Sequence, residues 1–134
     1  MNLTYMLDTD TCIYLMNKRS PKVIENIKSH RDSGICISSI TLAELEYGAS
    51  KSLYYERNII AIQKVLSIIA VLPFDEIAAS YYGKIRADLE QSGLIIGPLD
   101  MLIAGHAKSQ GLILITNNTG EFARIGGLLQ ESWV

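Results

Sequence analysis

Long apolar runs are absent from this sequence: no stretch reaches the roughly 18 residues that a membrane-crossing helix requires. The start of the chain also lacks the basic-then-apolar pattern of a secretory signal, so a cytoplasmic location without a membrane partner is expected. Cysteine is scarce. Cys12 and Cys36 are the only two, both within apolar runs, which reads as buried, reduced thiols and not as a disulfide or thiolate metal site. Three prolines and ten glycines beside 49% hydrophobic residues exclude a disordered chain, and 134 residues suffice for one compact domain spanning 1–134. Positive charge is also in short supply. Twelve Lys and Arg against 14 Asp and Glu give a net charge of -2, whereas nucleic-acid binders usually carry a visible excess of bases. A glycine-rich phosphate loop, a zinc motif and a Ser-His-Asp order are all missing.

What is present is an alternation of short apolar runs with helix-period segments. Leu3 to Leu7 reads as a strand ending at Asp8, followed by a helix over Thr11 to Met16 with Asp10 as its N-cap. A Pro21-led helix runs to about Arg31, and Gly34 to Ser38 is a second buried strand. Another helix starts near Thr41. Between residues 56 and 69, Ile59, Ile62, Leu66 and Ile69 form one stripe, and Ala70 to Phe74 is a short strand. Asp75 opens a helix whose inner face is Ala78, Tyr82, Ile85 and Leu89, closed by Ser92 and Gly93. Pro98 opens the next, through about Lys108, and Leu112 to Thr116 is an unbroken apolar strand expected at the centre of the sheet. Strands alternating with helices give an α/β sandwich with a parallel sheet, whose sites form beyond the carboxyl ends of the strands at a switch point.

Three acids stand out against that frame. Helical spacing puts Ile40, Glu44 and Tyr47 on one face and Glu46 about 200° away, so Glu44 faces inward. Asp100 falls in register with Ile103, Ala104 and Ala107 on an otherwise apolar stripe. Asp8 ends a buried strand, and Asn118 follows the Leu112–Thr116 strand by two residues, which brings both to one edge of the sheet. Ionised carboxylates are seldom buried without neutralisation, and three that converge repel one another unless a cation sits between them. Oxygen ligands without a Cys or His cluster favour Mg²⁺, with Mn²⁺ as a substitute, and point to metal-assisted phosphoryl transfer. Gathering acids into one site leaves Lys18, Arg19, Lys22, Lys84, Arg86 and Lys108 free for its rim.

Each residue also has a purely structural reading. Asp8 and Asp10 can be turn and cap residues, Asp100 can complement a helix dipole, Glu44 can pair with a base, and Asn118 can sit in a turn. Jointly these readings weaken, because three inward acids without three inward bases would each need a separate cause. His106 lies about 240° from Asp100 on its helix and reads as a packed or surface histidine; His30 adds nothing to the site. Tyr47, Tyr54, Tyr55, Tyr81 and Tyr82 read as core or interface residues, with base stacking the lesser option.

The strings "MLDTDTCIYL", "ISSITLAELEYG", "GPLDMLIAGHA" and "TNNTGEF", in this order and joined by "YYGKIRADLEQSG", resemble the VapC toxins of the PIN-domain family over nearly the whole chain. The resemblance implies a PIN-like three-layer sandwich, with a central, mostly parallel sheet of four or five strands flanked by helices. It also implies a metal-dependent endoribonuclease that cleaves structured RNA, in this branch typically transfer RNA, and inhibits translation until a VapB antitoxin neutralises it. A homodimer is implied too, and operator DNA bound only through the antitoxin. In that pattern Asp8 and Asp100 match metal-binding acids, Glu44 the acid of the "AEL" helix, and Asn118 a fourth pocket position that many PIN domains fill with Asp. Mg²⁺ would be held mainly by Asp8 and Asp100, with Glu44 orienting or deprotonating the attacking water.

Two departures stand beside the match. Asp10 occupies a position where relatives commonly have Asn, and Asn118 leaves three firm acids, so a second metal is less firmly implied than the first. Glu121 reads as an outer ligand through water or as a helix-start acid. A phosphoacceptor receiver domain is a poor competitor, because "CISS" and "LITNNT" supply neither the acceptor Asp nor the late Lys that it needs. A non-catalytic PIN scaffold would have lost its pocket acids.

Overall fold

The computed structural model describes residues 2–134. Five short strands form one parallel sheet: β1 (Tyr5–Leu7), β2 (Ile35–Ser38), β3 (Ala70–Leu72), β4 (Ile113–Ile115) and β5 (Gln130–Glu131). Their spatial order is β3-β2-β1-β4-β5, with Leu7 opposite Ile37 on one side and Ile115 on the other. Seven helices connect and cover them: α1 (Thr9–Asn17), α2 (Pro21–His30), α3 (Ser39–Lys51), α4 (Tyr55–Leu66), α5 (Glu76–Ser92), α6 (Pro98–Ser109) and the single turn α7 (Thr119–Phe122). The chain therefore winds outward from β1 to β2 and β3, then crosses back to lay β4 on the opposite flank of β1. That reversal opens a crevice between the carboxyl ends of β1 and β4, the place where open α/β sheets bind ligands.

Side-chain alternation along the strands divides the interior into two layers. Met6, Cys36 and Leu114 point to one face, where Ile85, Leu89, Met101, Ile103, Ala104 and Ala107 of α5 and α6 cover them. Leu7, Ile35, Ile37 and Ile115 point to the other, against Cys12, Val23, Ile27, Leu45, Ile62 and Val65 of α1 to α4. The three-layer sandwich expected from the sequence is thus the observed fold, with all five strands parallel. Both cysteines are free and buried, and burial pushes the Cys36 thiol up to about 12. No helix among the described residues is long and apolar enough to cross a membrane.

α5 and α6 approach closely because Gly105 presents no side chain: a Cβ there would stand 2.9 Å from the Tyr82 backbone nitrogen. Gly105→Ala must push two helices apart, and a loss of about 1–3 kcal/mol is expected. Urea unfolding measures it directly; an unchanged midpoint would show that the helix pair tolerates the methyl group.

Several local expectations are corrected. The N-cap of α1 is Asp8, not Asp10: Asp8 has extended backbone and its carboxylate accepts from the Thr11 N–H, while Asp10 lies in the first turn. The buried stripe of α4 is Ile62 and Val65, continued by Ile69 beyond the helix end; Leu66 stays 37% exposed because α4 stops there. On α3 the inward stripe is Thr41, Leu45 and Ala49, so Glu44 is half-buried on its flank and Tyr47 is 66% exposed. Tyr54, Tyr55 and Tyr81 are exposed as well, which leaves them the interface part of the expectation, while Tyr82 packs on the core. The Leu112–Thr116 run gives an interior strand, but the centre of the sheet belongs to β1.

Candidate metal and active site

Asp8 is held where β1 gives way to α1. Its N–H donates to the Ile115 carbonyl at 2.9 Å, so the strand ladder carries on for one residue past β1 and fixes Asp8 beside the end of β4. The Thr11 hydroxyl donates to the same carbonyl at 3.2 Å. The carboxylate is buried and accepts from the Thr11 N–H at 2.8 Å and from the Thr116 hydroxyl. Burial raises its proton affinity above the usual carboxylate value, the Thr116 and Thr11 hydrogen bonds pull it back, and the Asp10 charge raises it again.

Thr116 extends this support. Its N–H donates to Glu131 at 3.0 Å, and its side-chain oxygen accepts from the Asn118 N–H at 2.9 Å. A chain of donors thus runs from Asn118 through Thr116 to Asp8. Asn118 itself is exposed, and its amide donates to the Glu121 carboxylate at 2.6 Å.

Glu44 reaches the same crevice from α3. The Thr9 hydroxyl donates to its Oε1 at 2.5 Å and lies 3.4 Å from the Thr41 hydroxyl, which ties the starts of α1 and α3 to one carboxylate. Asp100 enters from the first turn of α6, directly after the Gly97–Pro98 entry. Its carboxyl is pushed up to about 6, first by burial and then by the charges of Asp8, Glu121, Glu44 and Asp10. No cation is among the groups that set its protonation, and the one side-chain ion pair among the described residues is Arg86–Glu90, away on α5.

The predicted acids therefore surround one crevice, joined by Asp10 and Glu121, and Asp100 feels them all. Among the described residues no three His, Cys, Asp or Glu side chains close on a single point. A hard ion of the Mg²⁺ type does not need three such groups at one point, since it keeps several waters and is usually held by one or two carboxylates together with substrate phosphate. The donor set fits such an ion: oxygen only, mutually repelling, and with no ion pair to a base among the described residues.

Thr9, Thr11 and Thr116 are the supporting residues that sequence reading missed. The only signal for them was their position, one or three residues after Asp8 and at the end of the β4 run. His106 is a packed residue apart from the site. It is fully buried, with Nδ1 2.8 Å from the Ser38 hydroxyl, and burial holds its imidazole below the usual value against the opposing pull of Asp75.

The PIN domain family model matches residues 5–128. The chain is 48% identical over 131 residues to the tRNA(fMet)-specific endonuclease VapC of Shigella flexneri, with 98% of each chain covered. It is 44% identical over 132 residues to ribonuclease VapC2 of Haemophilus influenzae, covering 98% of this chain and 99% of that one. Among solved structures, VapBC2 from Rickettsia felis bound to a DNA fragment from their promoter superposes with a TM-score of 0.94 at 43% identity, over 98% of this chain and 100% of that one. DNA-bound VapBC from Salmonella typhimurium gives 0.94 at 45%, over 98% and 99%. Sequence, fold and crevice agree, and the chain belongs to the PIN-domain family, in its VapC branch.

Proposed function

We propose that this chain is a metal-dependent endoribonuclease toxin, acting as a single domain over 1–134 in the cytoplasm. Its substrate is structured RNA, transfer RNA foremost, and its cleavage inhibits translation until a VapB-type antitoxin neutralises it. The observation that carries the chemistry is the cluster of carboxylates around Asp100, gathered at the sheet's switch point and forming no ion pair among the described residues. The substrate class is supported by the names of relatives that share 44–48% of their residues with the chain. Structures of antitoxin complexes on promoter DNA support the antitoxin, and operator DNA reached through it. A homodimer follows from the resemblance.

Asp8 and Asp100 would hold Mg²⁺, or Mn²⁺ in its place, with Glu44 beside them. Such an ion supplies charge stabilisation for phosphoryl transfer and a source of nucleophile near neutral pH. The chain's own residues do the rest. Thr116 and Thr11 keep Asp8 aimed into the crevice. Thr9 holds one oxygen of Glu44, which leaves the other free to orient the attacking water and receive its proton. Asn118 holds Glu121 at the rim.

Incubating the purified protein with total RNA, with and without EDTA, and sequencing the new RNA ends tests this reading. Discrete cuts that vanish with EDTA are expected; cuts that persist at full rate would rule out the metal. Thr116→Val offers a finer probe. Losing its hydroxyl raises the proton affinity of Asp8, so the acid limb of the pH–rate profile should move to higher pH while the rate above it changes little. A profile that keeps its position would show that Thr116 does not act through Asp8.

A further inference from the structure

On the α1 side of the molecule, three neighbouring hollows share lining residues. One, lined by Thr9, Asp10 and Glu44, shares Asp10 with a second that Arg19 and Asn117 line. The second shares Arg19 with a third, lined by Asn17, Lys18, Arg57 and Asn58, which has no carboxylate in its walls. In a chain of net charge -2 this is a local concentration of cations leading to the acid crevice. Lys18, Arg19 and Arg57 form no ion pair among the described residues. The guanidinium groups of Arg19 and Arg57 each lie 5.8 Å from a tyrosine ring centre, over Tyr14 and Tyr54, which restrains them before anything binds.

Lys18 adds an independent observation. It caps the carboxyl end of α1 in the left-handed region at φ 52, and it is the one non-glycine residue with positive φ among those described. Glycine suits that position and lysine is strained there. A strained residue that persists points to a use for its side chain.

We propose that the Lys18–Arg19–Arg57 hollow is the track that holds the phosphates of the RNA strand leading into the acid crevice. The inference rests on the ribonuclease reading and adds where the strand lies. Asparagine, lysine and arginine walls suit phosphate and ribose oxygens. The adjoining hollow, which shares Lys18 and Arg57, has an apolar floor of Leu15, Ile60, Val65 and Ile68 and suits a protein segment instead.

The test is steady-state cleavage of bulk transfer RNA in Mg²⁺ over a range of KCl concentrations. Lys18→Gly and the double variant Arg19→Gln with Arg57→Gln are compared with wild type. Each is expected to raise KM about three- to tenfold with kcat within twofold. The slope of log kcat/KM against log salt should become shallower by about 0.7 per lost phosphate contact. Lys18→Gly should do this without lowering the melting temperature, which separates lost binding from lost folding. Unchanged KM and salt slope in both variants, with wild type active, would overturn the track alone. If those variants instead lost binding to a co-expressed antitoxin, the hollow would be a protein dock. A wild-type protein that cuts no RNA in Mg²⁺ would overturn the track together with the ribonuclease reading beneath it.

Discussion

Asp100→Asn is expected to lower kcat for RNA cleavage by about 10²–10³-fold or more, and at the same time to raise the melting temperature of the metal-free protein. Both effects come from one cause. The Asp100 carboxyl is pushed up to about 6 by burial and by four neighbouring acids, so at neutral pH the fold holds a charge that it disfavours. With solvent access to a half-buried side chain discounted, the cost is about 1 kcal/mol, or roughly 3 °C for a chain of this size. The sign follows from proton linkage. Between about pH 4 and pH 6 the folded state binds more protons at Asp100 than the unfolded chain, so this group's contribution to stability falls as pH rises through that window. The advantage of Asp100→Asn should therefore be full at pH 7 and vanish below about pH 4. Thermal unfolding in EDTA at the two pH values measures it. A variant less stable than wild type at pH 7 would mean that Asp100 is a structural cap and not a member of a repelling cluster.

The cap that Asp8 provides and the metal-holding role proposed for it can be separated by substitution. Its carboxylate caps α1 through the Thr11 N–H and also faces the acid crevice. Asn caps helices about as well as Asp, so Asp8→Asn should keep the unfolding midpoint near wild type while cleavage falls by at least about 10²-fold. Asp8→Ala loses the cap as well and leaves the buried Thr116 hydroxyl without its acceptor, at a cost of about 2–3 kcal/mol. Paired urea unfolding and cleavage assays on the two variants distinguish these roles. Cleavage by Asp8→Asn at a near-normal rate would remove Asp8 from the chemistry.

The alternation of apolar runs and helix-period segments makes most of the architecture legible in the sequence. β1 and β4 are apolar throughout and β2 is apolar up to its last residue, the buried Ser38, as suits strands covered on both faces. β5 escaped notice because Gln130 and Glu131 carry no apolar signal; it forms through backbone pairing, with Leu114 and Thr116 donating to Leu129 and Glu131. The string "DTD" offers two acids two residues apart as caps, and only the extended backbone at Asp8 decides between them. The inward turn expected for Tyr47 failed because a helix lying on a sheet buries the 41-45-49 stripe, about 100° from the one that spacing alone selected.

The site was legible to the extent that it is made of anomalies. Asp100 is conspicuous as an acid on an apolar helix stripe and Asp8 as an acid at the end of an apolar strand, next to the β1–β4 reversal, whereas Glu44 lies on the flank of the stripe that α3 buries. The threonines were not conspicuous. Thr9 and Thr116 become supporting residues only through contacts between distant segments, Thr9 with Glu44 and Thr116 with Asp8, and those depend on the register that sets Leu7 beside Ile115.

All of this depends on a crevice of mutually repelling carboxylates that a divalent cation relieves. Titration of the metal-free protein with Mn²⁺, followed by calorimetry at pH 5, 6 and 7, tests it most directly. Binding should weaken by up to about tenfold per pH unit below pH 6, as Asp100 takes up its proton, and should fall by about 10–100-fold in Asp100→Asn at pH 7. Affinity that is the same at all three pH values and survives Asp100→Asn would contradict the account.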